Sequence, residues 1–317
     1  MKPPLLVVAG ATATGKTGLS LRLAEALRVR GVAAEIIGAD SRQVYRGLDI
    51  GTAKVGAADR ARVPHHGLDL VDPDEPFSVA DFVAHADAAL AGLPVRGGIA
   101  VLVGGTGLYL RAVARGLDTA ALPSDPGVRA SVEAYVAADG LAAAADRLRG
   151  LAPTLAGRVD LRNPRRVVRA LEIATLRGDA PLPEPRGYAA PSAWIGLTLD
   201  PATHRHRITE RARSQFDAGL IEEARALRER FNPSLPAFSA IGYREAWAVL
   251  DGTMTRDAGI AEDARRNVAF ARRQATWFRT EPAIDWLDAA DDPLPAALVA
   301  AERLLASAAA PLAKVSG

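Results

Sequence analysis

A short apolar run, residues 5–9, is followed at once by Gly10-Ala11-Thr12-Ala13-Thr14-Gly15-Lys16-Thr17. The octet fits the pattern G-x-x-x-x-G-K-[ST], and it lies after a strand signal and ahead of a helix signal, the context in which that pattern has physical meaning. Glycines let backbone N–H groups curl around phosphate oxygens, and the N-terminus of the helix adds a favourable dipole. Lys16 supplies a point positive charge and Thr17 a hydroxyl suited to Mg2+. A chance glycine turn is the alternative. Phosphate or diphosphate is therefore the expected ligand of Gly10 through Thr17, although the motif does not say of which compound.

Further apolar, β-branched runs recur at residues 35–38, 68–71, 99–103 and 194–199. The stretches between the first four read as helices, among them 18–29 and 79–91. Strands buried on both faces look like such continuous runs, and their alternation with helices predicts a parallel sheet flanked by helices, an α/β P-loop core. Residues 117–191 carry no strand signal. A helical pattern starts at Asp125-Pro126 and ends near Gly140; Asn163 is a candidate N-cap, Pro164 suits the first helical position, and Gly178 follows the last turn. The prediction is a core of residues 1–117 and 190–317 interrupted by a mostly helical insertion, 118–189. Long Arg-rich helices are expected at 203–231 and about 256–280, and the final stretch, 288–317, is Ala-rich and expected to fray at its end.

Composition narrows the chemistry. The 317 residues are 49% apolar, enough for a sizeable core, and contain no Cys. Disulfides, thiolate nucleophiles and thiolate metal sites are therefore excluded. No apolar run approaches the length of a membrane span and none reads as a signal peptide, so a cytoplasmic protein is expected. Of 39 basic residues 35 are Arg, and residues 158–280 hold 21 basic against 15 acidic side chains. Such a surface suits a polyanion, but a mild excess spread over solvated helix faces is the simpler reading of charge alone.

Chemistry-bearing residues cluster after the strand signals, where open α/β sheets place their ligand crevice. Asp40 begins Asp40-Ser41-Arg42-Gln43 and reads as a metal ligand, a hydrogen-bond acceptor or base, or a plain Asx turn. Gly104-Gly105-Thr106-Gly107-Leu108-Tyr109 allows close backbone approach, with Thr106 and Tyr109 able to bond or stack. Asp72 is the best candidate for a second metal carboxylate, and Asp72-Pro73-Asp74 reads equally as a turn. Arg165, Arg166 and Arg169 lie on one helix, opposite a stripe of Val167, Leu171 and Ala174. They fit either phosphate contact or a solvated face, and Arg225 is equally open. His65, His66, His204 and His206 read as caps or packing groups.

Together, these segments resemble the tRNA dimethylallyltransferase family. The matching pieces are Thr12 through Thr17, Asp40-Ser41-Arg42-Gln43-Val44-Tyr45, Asp49-Ile50-Gly51-Thr52-Ala53-Lys54, Pro64-His65-His66, Ser78-Val79-Ala80-Asp81-Phe82, Gly104 through Tyr109, Arg169-Ala170-Leu171-Glu172 and Ile241-Gly242-Tyr243-Arg244-Glu245. They run in the family's order across about residues 5–287. Ala11 stands where the family usually has Pro. The resemblance implies transfer of a dimethylallyl group from dimethylallyl diphosphate to N6 of the adenosine 3′ of the anticodon, tRNA position 37, in tRNAs reading codons that begin with U.

It implies Asp40 as the base, Lys16, Thr17 and Arg225 around the diphosphate, Mg2+ held near Thr17, and Thr106 lining the route of the tRNA. It places Asp40, Ser41, Arg42, Gln43, Arg129, Arg165, Arg166, Val167, Val168, Arg169, Ala240, Ile241, Gly242, Tyr243, Arg244 and Glu245 against tRNA, and implies a monomer. Rival readings are a P-loop small-molecule kinase, an adenylate isopentenyltransferase, and a non-catalytic RNA-binding protein with a vestigial P-loop. The intact Lys16, Thr17 and Asp40 argue against the last.

Overall fold

The computed structural model describes residues 2–93, 97–119 and 121–309. Among them six strands form one parallel sheet: β1 (Leu5–Gly10), β2 (Ala34–Ala39), β3 (His65–His66), β4 (Ile99–Gly104), β5 (Ser192–Thr198) and β6 (Ile284–Asp288), in the order β3-β2-β4-β1-β5-β6. The helices are α1 (Lys16–Val29), α2 (Ala57–Arg62), α3 (Val79–Ala91), α4 (Gly107–Ala114), α5 (Pro126–Leu151), α6 (Pro153–Ala156), α7 (Pro164–Arg177), α8 (Pro201–Asp217), α9 (Leu220–Arg230), α10 (Tyr243–Leu250), α11 (Arg256–Phe278) and α12 (Leu294–Ala309).

Every residue of β1 is buried. Leu5, Val7 and Ala9 pack on one face with Ile37, Leu102, Phe82, Leu110 and Phe278; Leu6 and Val8 pack on the other with Ile36, Val101, Leu23, Leu27 and Ala301. That double burial is why the strand reads as an unbroken apolar run. Each such aliphatic side chain contributes about 1.5–3 kcal/mol.

Register aligns the functional ends. Gly104 of β4 lies opposite both Ala9 of β1 and Ala39 of β2. The loops that start at Gly10, Asp40 and Gly105 therefore leave the same edge of the sheet. β2, which leads into Asp40, is not the neighbour of β1 in the sheet, because β4 runs between them. Thr106 thus stands between the two.

Four elements differ from expectation. The third strand is His65–His66, not 68–71, because the chain turns at Gly67 (φ 81°) and Asp69 (φ 55°), and Val71 makes only a single bridge to Tyr45. The long helix expected over 203–231 is two, α8 and α9, separated at Gly219 (φ 102°). The helix expected to stop near Gly140 breaks there (φ 86°) and then resumes to Leu151. β6 escapes notice in the sequence because it is an edge strand, with Trp286 44% exposed. The expected fraying at 310–317 lies outside the described residues.

Residues Gly116–Arg186 form a compact unit of their own. Asn163 caps α7 through a bond from the Arg166 N–H, with Pro164 in the first turn and Gly178 past the last. Val167, Leu171 and Ala174 pack with Val132 and Leu148. The unit turns on Glu172, whose carboxylate is fully buried. It accepts from Arg129 Nη2 (2.9 Å), Arg169 Nη1 (2.7 Å) and the Asp125 N–H (2.9 Å), and these bonds hold its pKa below the ordinary carboxylate value against the opposing effect of burial. Replacing Glu172 with Gln should lower the unit's stability by about 2 kcal/mol, measured by urea denaturation, because two guanidinium groups then lose their counter-charge.

Candidate active site

The P-loop turn leaves β1 at Gly10 and enters α1 at Lys16, with Gly15 (φ 94°) as N-cap. Thr14 Oγ1 donates to the Ala11 carbonyl at 2.9 Å, and Lys16 Nζ donates to the same carbonyl at 2.6 Å. The ammonium is thus folded back into the loop that a phosphate would fill. Burial pushes its pKa down from 10.5 to about 7; the Arg211 charge pushes the same way, and Asp40 opposes. The Thr12 peptide is committed on both sides: its N–H donates to Gln274 Oε1 at 2.8 Å, and its carbonyl meets His204 Nε2 at 2.8 Å. The N–H groups later in the turn and in the first turn of α1 are those left for an anion. Among the described residues the exposed Thr17 hydroxyl has no partner.

Arg211, from α8, is a residue that sequence reasoning missed. Its Nε is enclosed and unpartnered, and its Nη2 reaches only the Thr52 carbonyl at 3.4 Å. Burial lowers its pKa, with Asp40 and Asp263 acting against that shift. Asp263, on α11, is fully buried; its Oδ1 accepts from Asn267 Nδ2 at 2.7 Å, its Oδ2 has no partner, and burial pushes its pKa up to about 6. One guanidinium among some twenty in the Arg-rich half of the sequence carries no motif of its own, so nothing in the sequence singles it out.

On the other side of β4, Asp40 Oδ1 accepts from the Arg42 N–H at 2.8 Å, an Asx turn that fixes the carboxylate and leaves its second oxygen outside this bond. Thr106 Oγ1 accepts from the Ser41 N–H at 3.0 Å, and the Thr106 N–H donates to the Ala39 carbonyl at 3.2 Å. Tyr109 is 6% exposed and stacks on Phe82 with ring centroids 4.2 Å apart. Asp72 Oδ1 accepts from Arg46 Nη1 at 3.3 Å.

Several residues expected against tRNA are internal. Val167 has no exposed surface and belongs to the apolar interior of the helical unit. Tyr243 is likewise fully buried and donates to Glu223 Oε1 at 2.7 Å. Glu223 also takes the N–H groups of Ile50 (2.8 Å) and Gly51 (3.1 Å). Glu245 caps α10 through the Gly242 N–H at 2.9 Å and pairs with Arg266. Ala240 and Gly242 are buried as well. The 240–245 segment is thus a brace beneath the 49–52 loop, with Arg244 exposed and Ile241 partly so. Arg42 and Gln43 donate to the carbonyls of Pro236 (2.9 Å) and Thr52 (3.0 Å). Arg165, Arg166 and Arg225 are exposed, whereas Arg129, Arg169 and Val168 are not fully so, and both arginines engage Glu172. The histidines pack or cap: His66 Nε2 meets Glu35 Oε2 at 2.7 Å, and His85 Nε2 accepts from the Gly67 N–H at 3.0 Å. No helix among the described residues is long and apolar enough to cross a membrane, and no cluster of three His, Cys, Asp or Glu side chains is placed to hold a metal.

A parallel α/β sheet with a P-loop, two half-buried cations and a carboxylate across one intervening strand defines the P-loop class of α/β proteins. The sequence profile described as IPP transferase matches residues 43–281, and the chain belongs to that family. A tRNA dimethylallyltransferase from Bifidobacterium longum is 42% identical over 91% of this chain and 88% of that protein. Another from Anaeromyxobacter dehalogenans is 44% identical over 91% and 96%. A solved tRNA isopentenylpyrophosphate transferase from Bacillus halodurans is 37% identical, covers 96% of this chain and 97% of its own, and superposes with a TM-score of 0.69.

The lowered Lys16 pKa has a readable consequence. Between about pH 7 and 10.5 the folded chain holds this lysine neutral while the unfolded chain holds it charged. Stability therefore falls as pH drops from about 10.5, the unfolded chain binding the extra proton, and the loss is complete once pH is below about 7. A bound diphosphate favours the charged form. Diphosphate binding at pH 8 should therefore take up a proton and weaken as pH rises, and Lys16→Met should abolish both effects; calorimetry in two buffers of different ionisation heat measures this.

Proposed function

We propose that this chain transfers a dimethylallyl group from dimethylallyl diphosphate to N6 of the adenosine 3′-adjacent to the anticodon, position 37, in tRNAs reading codons that begin with U. The observation that carries the reading is the arrangement across β4: a P-loop with two half-buried cations on one side, and a fixed carboxylate with the Thr106 hydroxyl on the other. The relatives named above are tRNA dimethylallyltransferases, which supports tRNA over a free nucleotide as acceptor and prenyl transfer over phosphoryl transfer.

The P-loop N–H groups, Lys16 and Arg211 hold the diphosphate. The N6 amine attacks the allylic carbon, the carbon–oxygen bond to diphosphate breaks, and the N6 proton passes to Asp40. Preorganised cations at the departing oxygens lower the barrier because charge accumulates there. Arg225, exposed on α9, and Thr106 flank the substrates in this reading. The metal fits the donor set: the unpartnered Thr17 hydroxyl, with diphosphate oxygens and waters, suits Mg2+, which keeps much of its hydration shell. When bound it would offset the charge of the leaving group. The helical unit presents Arg129, Arg165, Arg166 and Arg169 to the phosphate backbone, with Val168 beside them, and Arg244 adds a contact from the core. The target base leaves the anticodon-loop stack to reach Asp40. The protein works as a cytoplasmic monomer.

The test supplies labelled dimethylallyl diphosphate, ATP, Mg2+ and either unmodified tRNA or AMP. Label in tRNA alone supports the reading; label in AMP points to an adenylate isopentenyltransferase, and label in neither with ATP consumed points to a kinase. Asp40→Asn should lower kcat roughly 10²–10⁴-fold while tRNA affinity, measured by filter binding, stays near wild type.

A further inference from the structure

Gln274 lies on α11, is 7% exposed, and belongs to none of the groups given a role above. Its amide spans two loops. Oε1 accepts the Thr12 N–H of the P-loop at 2.8 Å, and Nε2 donates to the Gly105 carbonyl at 3.0 Å. The amide orientation follows from chemistry, since an N–H requires the oxygen and a carbonyl requires the NH2. The approach is close: a Cβ on Gly105 would sit 2.2 Å from Nε2, so a side chain at position 105 would displace this amide.

The next residue, Thr106, takes the Ser41 N–H beside Asp40. A continuous relay therefore runs from the diphosphate loop through Gln274, Gly105 and Thr106 to the Asp40 turn. β4 separates the two substrate-bearing loops in the sheet, and no backbone ladder joins β1 to β2 directly. Gln274 supplies a side-chain tie between the P-loop and the loop that carries Thr106.

We propose that Gln274 is a positioning residue that sets the distance between the prenyl donor and the attacking adenosine by fixing the P-loop against the Gly105–Thr106 loop. This rests on the prenyl-transfer reading above. A tie of this kind acts on geometry in the reactive complex and not on the binding of either substrate alone. Small misplacement of reacting atoms costs rate far more than affinity.

The experiment compares wild type with Gln274→Met, which keeps the volume and removes both bonds. Single-turnover transfer to tRNA is measured together with separate affinities for inorganic diphosphate and for tRNA, and with a thermal melt. The expected result is a rate roughly 10–100-fold lower with both affinities within a few-fold of wild type. Should Gln274→Met melt below the assay temperature, Gln274→Glu serves, because it keeps an acceptor for Thr12 and removes the donor to Gly105; the same rate loss is expected. A folded variant with a wild-type rate overturns the proposal, as does a rate loss matched by equal loss of diphosphate and tRNA affinity. If wild type itself transfers nothing to tRNA, the functional reading fails instead, and the two failures are distinct.

Discussion

Two cations, Lys16 and Arg211, are half-buried at the carboxyl edge of the sheet, and the charge of Asp40 bears on both. Holding them out of water costs free energy that local hydrogen bonds recover only in part: Lys16 leans on one carbonyl, and Arg211 leaves its Nε unpaired. Such a site is completed by an anion of more than one charge. Asp263, whose pKa burial raises to about 6, is still mostly ionised at neutral pH and with Asp40 offsets part of the Arg211 charge. In the proposed reading, it is this partly compensated charge that a diphosphate completes.

The rest of the core holds that arrangement in place. Register at Gly104 brings three loops to one edge, and placing β4 between β1 and β2 sets Thr106 between the anion cradle and Asp40. Glu223, Tyr243 and Gln215 bind the backbone at 49–51, the segment leading to Thr52, whose carbonyl Arg211 touches. The braces are buried polar groups with specified partners, so they fix one geometry where apolar packing would tolerate several.

Much of this was legible in the sequence. The octet from Gly10 to Thr17 declares its loop because its glycines, lysine and hydroxyl have local backbone roles, and Asn163-Pro164 and Gly178 mark α7 by capping chemistry alone. The strands β1, β2 and β4 show because both faces are buried. What stayed hidden depends on approach between distant segments. Arg211 and Gln274 look like any polar residue on an Arg-rich helix until tertiary packing brings them to Thr52, Thr12 and Gly105. The 240–245 motif is visible as a motif, yet Tyr243 and Glu245 turn inward as braces, which spacing cannot show. The third strand moved because positive φ at Gly67 and Asp69 breaks an apolar stretch that otherwise reads as extended.

The central claim is that the half-buried cations Lys16 and Arg211 hold the diphosphate of the prenyl donor. Calorimetric titration of inorganic diphosphate into wild type and Arg211→Met at neutral pH tests it directly. The account predicts one site per chain in wild type and roughly 10–100-fold weaker binding in the variant, the loss of one charge-assisted contact. Equal affinity in the two proteins, with the variant folded, would contradict it.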